Sequence, residues 1–199
     1  DGSHWRTADL VAAVTATAET RGADGDDQLT GNALANRLHG GGGRDTLDGG
    51  DGQDELIGGT GRDLLRGGRG GDLYRIGPGD GTDVIVEVPD APGEHDVLAF
   101  GPGLRPEQLW FRREGDALEV RQLASGERTL IDGWYAPGGG RIEEFRTASG
   151  QALLERQVQS LVEAMAAFAP PPPGHAALPA HVHAVLAPVI AAHWGAPGG

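Results

Sequence analysis

The chain has 199 residues, a net charge of −13, 35 glycines, 5% aromatic residues and no cysteine. Disulfide stapling is therefore excluded, the acidity argues against nucleic acid or anionic membrane as a partner, and no apolar run reaches the ~18 residues that membrane insertion needs. One or two domains fit this length.

Residues 1–21 read as the tail of a preceding module: a turn, a Trp5 anchor and a short amphipathic helix carrying Leu10, Val11 and Val14. From residue 22 to residue 75 the chain is written in blocks of nine: GADGDDQLT, GNALANRLH, GGGGRDTLD, GGDGQDELI, GGTGRDLLR and GGRGGDLYR. Position six is Asp27, Asn36, Asp45, Asp54, Asp63 and Asp72, and position eight is Leu29, Leu38, Leu47, Leu56, Leu65 and Tyr74. Glycine at this density cannot be helical, since each costs about 1 kcal/mol in a helix interior, but it permits the turns that bring carbonyls inward. The end of each block predicts a short strand whose position-eight side chain enters a core. A flexible linker would have no reason to keep an apolar residue in that phase.

Two blocks make one coil of a flattened solenoid, so blocks n and n+2 stack. Asp27 then lies over Asp45, Asn36 over Asp54, Asp45 over Asp63 and Asp54 over Asp72. Stacked carboxylates repel unless a hard cation lies between them. Ca²⁺ accepts six to eight oxygens, backbone carbonyls included, whereas Mg²⁺ demands a tighter octahedron and retained water. The expectation is a set of several calcium ions.

The fold expected is mainly β: a parallel β-roll over residues 22–90, then a β-rich domain with a closing helix over 91–169, then a Pro-rich spacer and Ala-rich helical tail over 170–199. Strands are predicted at 96–100, 108–113, 118–123, 128–132 and 141–146, with turns at 114–116 and 124–126. Leu118, Val120 and Gln122 should face one way and Glu119, Arg121 and Leu123 the other. Trp110, Phe111, Trp134, Tyr135 and Phe145 should build the core there. Residues 153–169 predict a helix buried through Leu154, Val158, Leu161, Val162, Met165 and Phe168. Prolines 170–173 end it. A second helix over 180–194, interrupted at Pro188, carries a weaker stripe of Val182, Val185, Leu186, Val189 and Ile190, and removing the tail should cost the roll little.

Catalytic signatures are missing. There is no HExxH and no GxSxG, and all sixteen basic residues are arginine, so no Walker-type lysine exists. Of His175, His181, His183 and His193 near the C-terminus, His181 and His183 are two apart and so on different faces of a helix, which argues against a metal site. No enzyme activity is expected.

The nonapeptides, with the exit YRIGPGDGTDVIVEV that follows them, resemble the repeats-in-toxin, or haemolysin-type calcium-binding, family of bacterial proteins exported by type I secretion. The resemblance implies that each ion takes the position-six side chains of two stacked units, carbonyls at positions two and four of the first, and carbonyls at positions one and three of the second. One site would use Ala23, Gly25 and Asp27 with Gly40, Gly42 and Asp45. A second would use Gly41, Gly43 and Asp45 with Gly58, Thr60 and Asp63, and a third Gly50, Gly52 and Asp54 with Gly67, Arg69 and Asp72. Asp51, Gly59 and Gly61 complete the candidate set at equivalent turns. Asn36 lacks charge, so its site with Asp54 should be weak or empty; Asp80 or Asp83 should close the last site, with Asp63. The function implied is a calcium-binding module of a large secreted protein that folds on calcium after export, located outside the cell or on its surface. Alternatives are a structural or adhesive repeat of a surface filament, or the non-catalytic C-terminal part of an exported hydrolase. The expected partners are calcium ions and adjacent modules or copies of itself.

Overall fold

The computed structural model describes residues 19–89, 91, 93–175 and 177–195. The helix expected near Leu10 lies outside the described residues. Strands β1 (Glu19–Arg21), β2 (Gln28–Thr30), β3 (Arg37–Gly43), β4 (Thr46–Asp51), β5 (Glu55–Gly61), β6 (Leu64–Arg69), β7 (Leu73–Ile76) and β8 (Thr82–Val86) alternate between two parallel ladders, β1-β3-β5-β7 and β2-β4-β6-β8. Leu29 pairs with Leu47 and Leu47 with Leu65 in one ladder, and Leu38 with Leu56 and Leu56 with Tyr74 in the other. All six position-eight side chains have 0% exposure. Burying each contributes about 1.5–3 kcal/mol, and these two apolar rows hold the two thin sheets together.

The strands run further into the turns than the repeat suggests: Gly41, Gly42 and Gly43 pair with Gly59, Thr60 and Gly61. Gly61 has φ +138°, and a Cβ there would strike the Gly43 carbonyl oxygen, so both conformation and space demand glycine. The roll also begins earlier than residue 22. Glu19 pairs with Arg37 in β1, in the same eighteen-residue phase, because the ladder uses backbone groups and outlasts the Gly/Asp pattern.

Both sheets continue across residue 90. β9 (Val97–Phe100) pairs with β7, β13 (Glu144–Arg146) pairs parallel to β9, and β12 (Arg128–Asp132) pairs parallel to β8. A hairpin of β10 (Leu109–Glu114) and β11 (Ala117–Gln122), preceded by a 3₁₀ turn at Pro106–Gln108, extends the second sheet from β12. β14 (Ala152–Leu154) closes the first sheet antiparallel to β13. This strand shortens the helix expected from residue 153: α1 spans Glu155–Ala166 and buries Val158, Leu161, Val162 and Met165. Leu154 instead ends β14, and Phe168 lies past the helix, partly buried. Trp110, Phe111, Trp134 and Phe145 are core residues, whereas Tyr135 sits at its edge under the Arg113 guanidinium, 4.5 Å from the ring centroid.

The tail differs from expectation. α2 (Ala180–His193) runs through Pro188 without a break and packs on α1 through Val182, Leu186 and Ile190, while Val185 is 53% exposed. Trp194 enters the core with ring centroids 6.5 Å from Phe100 and 6.3 Å from Phe111. Gly195 exchanges backbone hydrogen bonds with Ala152 of β14. The tail is part of the folded body.

Glu119 also departs from simple alternation. It is fully buried on the face opposite Leu118 and Val120, beneath Arg112, which donates two hydrogen bonds of 3.0 and 2.9 Å, with Arg121 Nε at 3.1 Å. Burial alone would raise its pKa; the arginine bonds prevail and hold it below the ordinary carboxylate range. Leu123 is buried as well, because β11 ends at Gln122 and the chain turns inward. Glu119→Gln should cost about 1–3 kcal/mol in urea denaturation at saturating calcium, with the number of ions bound unchanged. An unaltered midpoint would show that the arginines contribute nothing there.

Candidate metal centre

The position-six side chains form two hydrogen-bonded files. In the first, Asp27 N–H donates to Asp45 Oδ1 (2.9 Å), Asp45 N–H to Asp63 Oδ1 (2.9 Å) and Asp63 N–H to Asp83 Oδ1 (3.1 Å). In the second, Asn36 N–H donates to Asp54 Oδ1 (2.7 Å), Asp54 N–H to Asp72 Oδ1 (2.8 Å) and Asp72 N–H to Asp96 Oδ1 (2.7 Å). One oxygen of each carboxylate thus ties a coil to the coil before it. The second oxygens of Asp45, Asp54 and Asp63 are buried and accept no hydrogen bond.

Those second oxygens face the gaps between coils. A Cβ on Gly40 would collide with Asp45 Oδ2 and the Gly58 carbonyl oxygen, and one on Gly49 with Asp54 Oδ2 and the Gly67 carbonyl oxygen. Position-one carbonyls of the later coil therefore point back into the gap. Position-two and position-four carbonyls of the earlier coil point forward: Ala23 O and Gly25 O crowd Gly41 and Gly43, Gly41 O and Gly43 O crowd Gly59 and Gly61, and Gly50 O and Gly52 O crowd Gly68 and Gly70. Position-three carbonyls close the rim, Gly42 O accepting from Gly25 N–H and Arg69 O from Gly52 N–H at 2.7 Å. Thr60 occupies the same place opposite Gly42. Asp51 keeps its side chain exposed beside Arg69, so it brings only backbone to this lining.

Carboxylate and carbonyl oxygens converge on the gaps between the Asp units, and the carboxylates are desolvated. Burial raises the pKa of Asp45, brings Asp54 and Asp63 to about 6 and Asp83 to about 8. An orphaned buried carboxylate oxygen beside converging carbonyls suits a hard cation such as Ca²⁺. Asn36 breaks the pattern: its Oδ1 accepts from Asn32 N–H at 2.6 Å, and the rest of its amide is a donor that repels cations.

At the exit of the roll, Asp80 and Asp83 take different places. A two-residue slip pairs Gly61 with Gly81. Asp83 takes the carboxylate place, accepting from Asp63 N–H. Asp80 takes the position-three carbonyl place, accepting from Gly61 N–H at 2.6 Å, while its carboxylate accepts from Gly77 N–H at 2.5 Å.

The sequence reading missed Asp96 and Glu87. Asp72, Glu87 and Asp96 are all buried, and each offers a ligand atom within 4.8 Å of the others. The Tyr74 hydroxyl donates to Glu87 Oε1 in the same cluster. Asp96 was findable, since it stands two residues before the core residue Leu98, as position six stands before position eight. Glu87 carries no such signal. No histidine joins a metal-ligating group of three among the described residues.

Two stretches, residues 21–56 and 48–85, match the family model for the RTX calcium-binding nonapeptide repeat (4 copies). The N-terminal region of this chain thus carries RTX calcium-binding repeats, and calcium is the ion that they imply.

Proposed function

We propose that these RTX repeats make the chain a calcium-operated folding module of a secreted protein: unfolded in the calcium-poor cytosol during type I export, folded outside. The observation that carries this reading is the row of buried Oδ2 atoms on Asp45, Asp54 and Asp63, each lacking a hydrogen-bond donor. Such groups oppose folding until a cation replaces the lost hydration, so the free energy of calcium binding becomes free energy of folding. The ions would be held by the position-six carboxylates and the turn carbonyls, with Asp96 continuing the second file. Extracellular modules of this type bind calcium with Kd values of about 10⁻⁴–10⁻³ M, suited to filling only after export. Binding, not catalysis, is assigned to the chain. A structural role within a surface assembly uses the same switch to set rigidity.

Asp45→Ala and Asn36→Ala separate this reading from a passive solenoid. Asp45 lines two gaps, through Oδ1 towards Asp27 and Oδ2 towards Gly58, whereas Asn36 belongs to the degenerate unit. Calcium titration of the full chain should show Asp45→Ala losing two ions, or at least tenfold in affinity, as expected for lost charge in a multi-carboxylate site. Asn36→Ala should stay within about threefold. Equal losses would overturn the bridging assignment.

A further inference from the structure

The solvent face of the second sheet is apolar at its centre. On β8, Asp83 and Ile85 point inward and are buried, so Thr82, Val84 and Val86 lie on the outer face, each only partly covered. β6 and β12 alternate in the same way. Leu65 and Ile131 are core residues, which puts Leu64 and Arg66 of β6, and Leu130 and Asp132 of β12, outside. Leu64, Val84 and Leu130 are in register across the three strands, and so are Arg66, Val86 and Asp132. Val88, just past β8, is 41% exposed. α1 packs chiefly on β10 and β14 and α2 on α1, which leaves this face to solvent among the described residues.

β-branched residues on a central strand are ordinary. What sets this face apart is the pair of leucines flanking them and the two charges that end the next row. Neither Arg66 nor Asp132 makes a hydrogen bond or ion pair among the described residues. The outer face of the first sheet, by contrast, neutralises itself: Glu19, Arg37, Glu55 and Arg75 form a continuous ladder of ion pairs across its strands.

The unpaired face is complementary to itself. A twofold axis laid along β8 in the plane of contact brings a second copy face to face with the first, so that β8 meets β8 and β6 meets the copy's β12. Because the rows are in register, Leu64 then comes opposite Leu130 of the second copy and Arg66 opposite Asp132, and each contact occurs twice. Val84 and Val86 meet their own counterparts on the axis. Further out, Thr46, in register with Leu64, faces the arginine-covered Glu119, in register with Leu130, as a polar rim. An axis across the strands would instead set Arg66 and Asp132 against leucines. Face-packed sheets are rotated by about 30°, which the length of an arginine side chain absorbs one strand away from the axis.

We propose that the outer face of the second sheet is a self-association surface, on which two copies of this chain pack through Leu64, Val84, Val86 and Leu130 with reciprocal Arg66–Asp132 ion pairs. Five strands (β4, β6, β8, β12 and β11) ~4.8 Å apart, with about five residues of ~3.3 Å each, give a footprint of about 400 Å² per copy. About 800 Å² in all belongs to weak, reversible contacts rather than obligate ones, so the dimer should dissociate on dilution.

Sedimentation velocity of the full chain in saturating calcium, from dilute to concentrated protein, tests this by charge exchange. The parent should move towards the dimer mass as concentration rises. Arg66→Asp and Asp132→Arg should each weaken association by at least about tenfold, the Coulomb effect of a pair ~4 Å apart in water counted at both symmetry-related contacts. The double exchange, Arg66→Asp with Asp132→Arg, should restore the dimer. So should an equal mixture of the two single variants, because each then offers the charges that the other lacks. A parent that sediments as a monomer at every concentration would overturn the proposal. An Arg66→Asp chain that associates like the parent would do so too, as would failure of both the double exchange and the mixture to recover. Circular dichroism checks that each variant is folded, and the test needs only the folded chain, so its outcome is separate from that of the calcium reading.

Discussion

With calcium removed by excess chelator at pH 8, strands β2–β7 are expected to lose their β-sheet circular dichroism, and acidification towards pH 4 should restore part of it without any calcium. Asp54 and Asp63 have folded-state pKa values of about 6 and Asp83 of about 8, against an ordinary 3.8, chiefly through burial. A carboxylate whose pKa is raised on folding contributes stability at low pH, below its unfolded value. That contribution is lost as pH rises through the folded value, here between about pH 4 and pH 8. Each of these buried groups therefore opposes folding in its ionised form, and mutual repulsion between Asp63 and Asp83 adds to the cost of burial. Calcium removes the penalty by taking the place of the protons. Where acid has refolded the calcium-free chain, calcium binding should consequently release protons, measurable by calorimetry in buffers of different ionisation enthalpy, and affinity should fall as pH falls. Melting should spread past the repeats, because β12 and β13 pair directly with β8 and β9. A chelated chain that keeps its full β signal at pH 8, or magnesium that substitutes completely, would refute the switch.

Trp194→Ala should destabilise the calcium-loaded chain by about 3–5 kcal/mol, the range for emptying a buried aromatic site. Trp194 is 4% exposed and lies against Phe100 and Phe111, which belong to β9 in one sheet and β10 in the other. It also anchors the end of α2, whose Val182, Leu186 and Ile190 cover α1. Removing residues 174–199 should do more damage than the point change, since it also uncovers the α1 face. Denaturant midpoints in saturating calcium check both. A loss below about 0.5 kcal/mol, the scale of an ordinary surface substitution, would mean that the tail is a dispensable appendage.

The roll was legible because its contacts repeat at one sequence offset. Leu29, Leu47 and Leu65 are consecutive neighbours in space and eighteen residues apart in the chain, so composition at a fixed phase encodes both core and metal lining. The separate strands of the second half, among them 128–132, were visible from alternation and turn residues, except β14, which was expected as the start of the helix. Their placement was not. That β12 extends β8, or that β14 precedes α1, follows from pairings at irregular separations that leave no periodic trace.

The same division runs through the site. Asp27, Asp45, Asp54, Asp63 and Asp72 could be read from the sequence, because each solenoid turn repeats the local geometry of the last. Asp96 reaches the second file over 24 residues, and Glu87 arrives from a strand end through the Tyr74 hydroxyl. Pro188 and the Ala-rich composition suggested a broken, loosely attached tail. Burial of α2 and Trp194 against a preformed hydrophobic face prevails over one lost backbone hydrogen bond. Local repetition in the sequence therefore determined the solenoid and its oxygen-lined gaps. Only long-range packing decided how the files end and what covers the core, because closing a repeat requires contacts that the repeat itself does not contain.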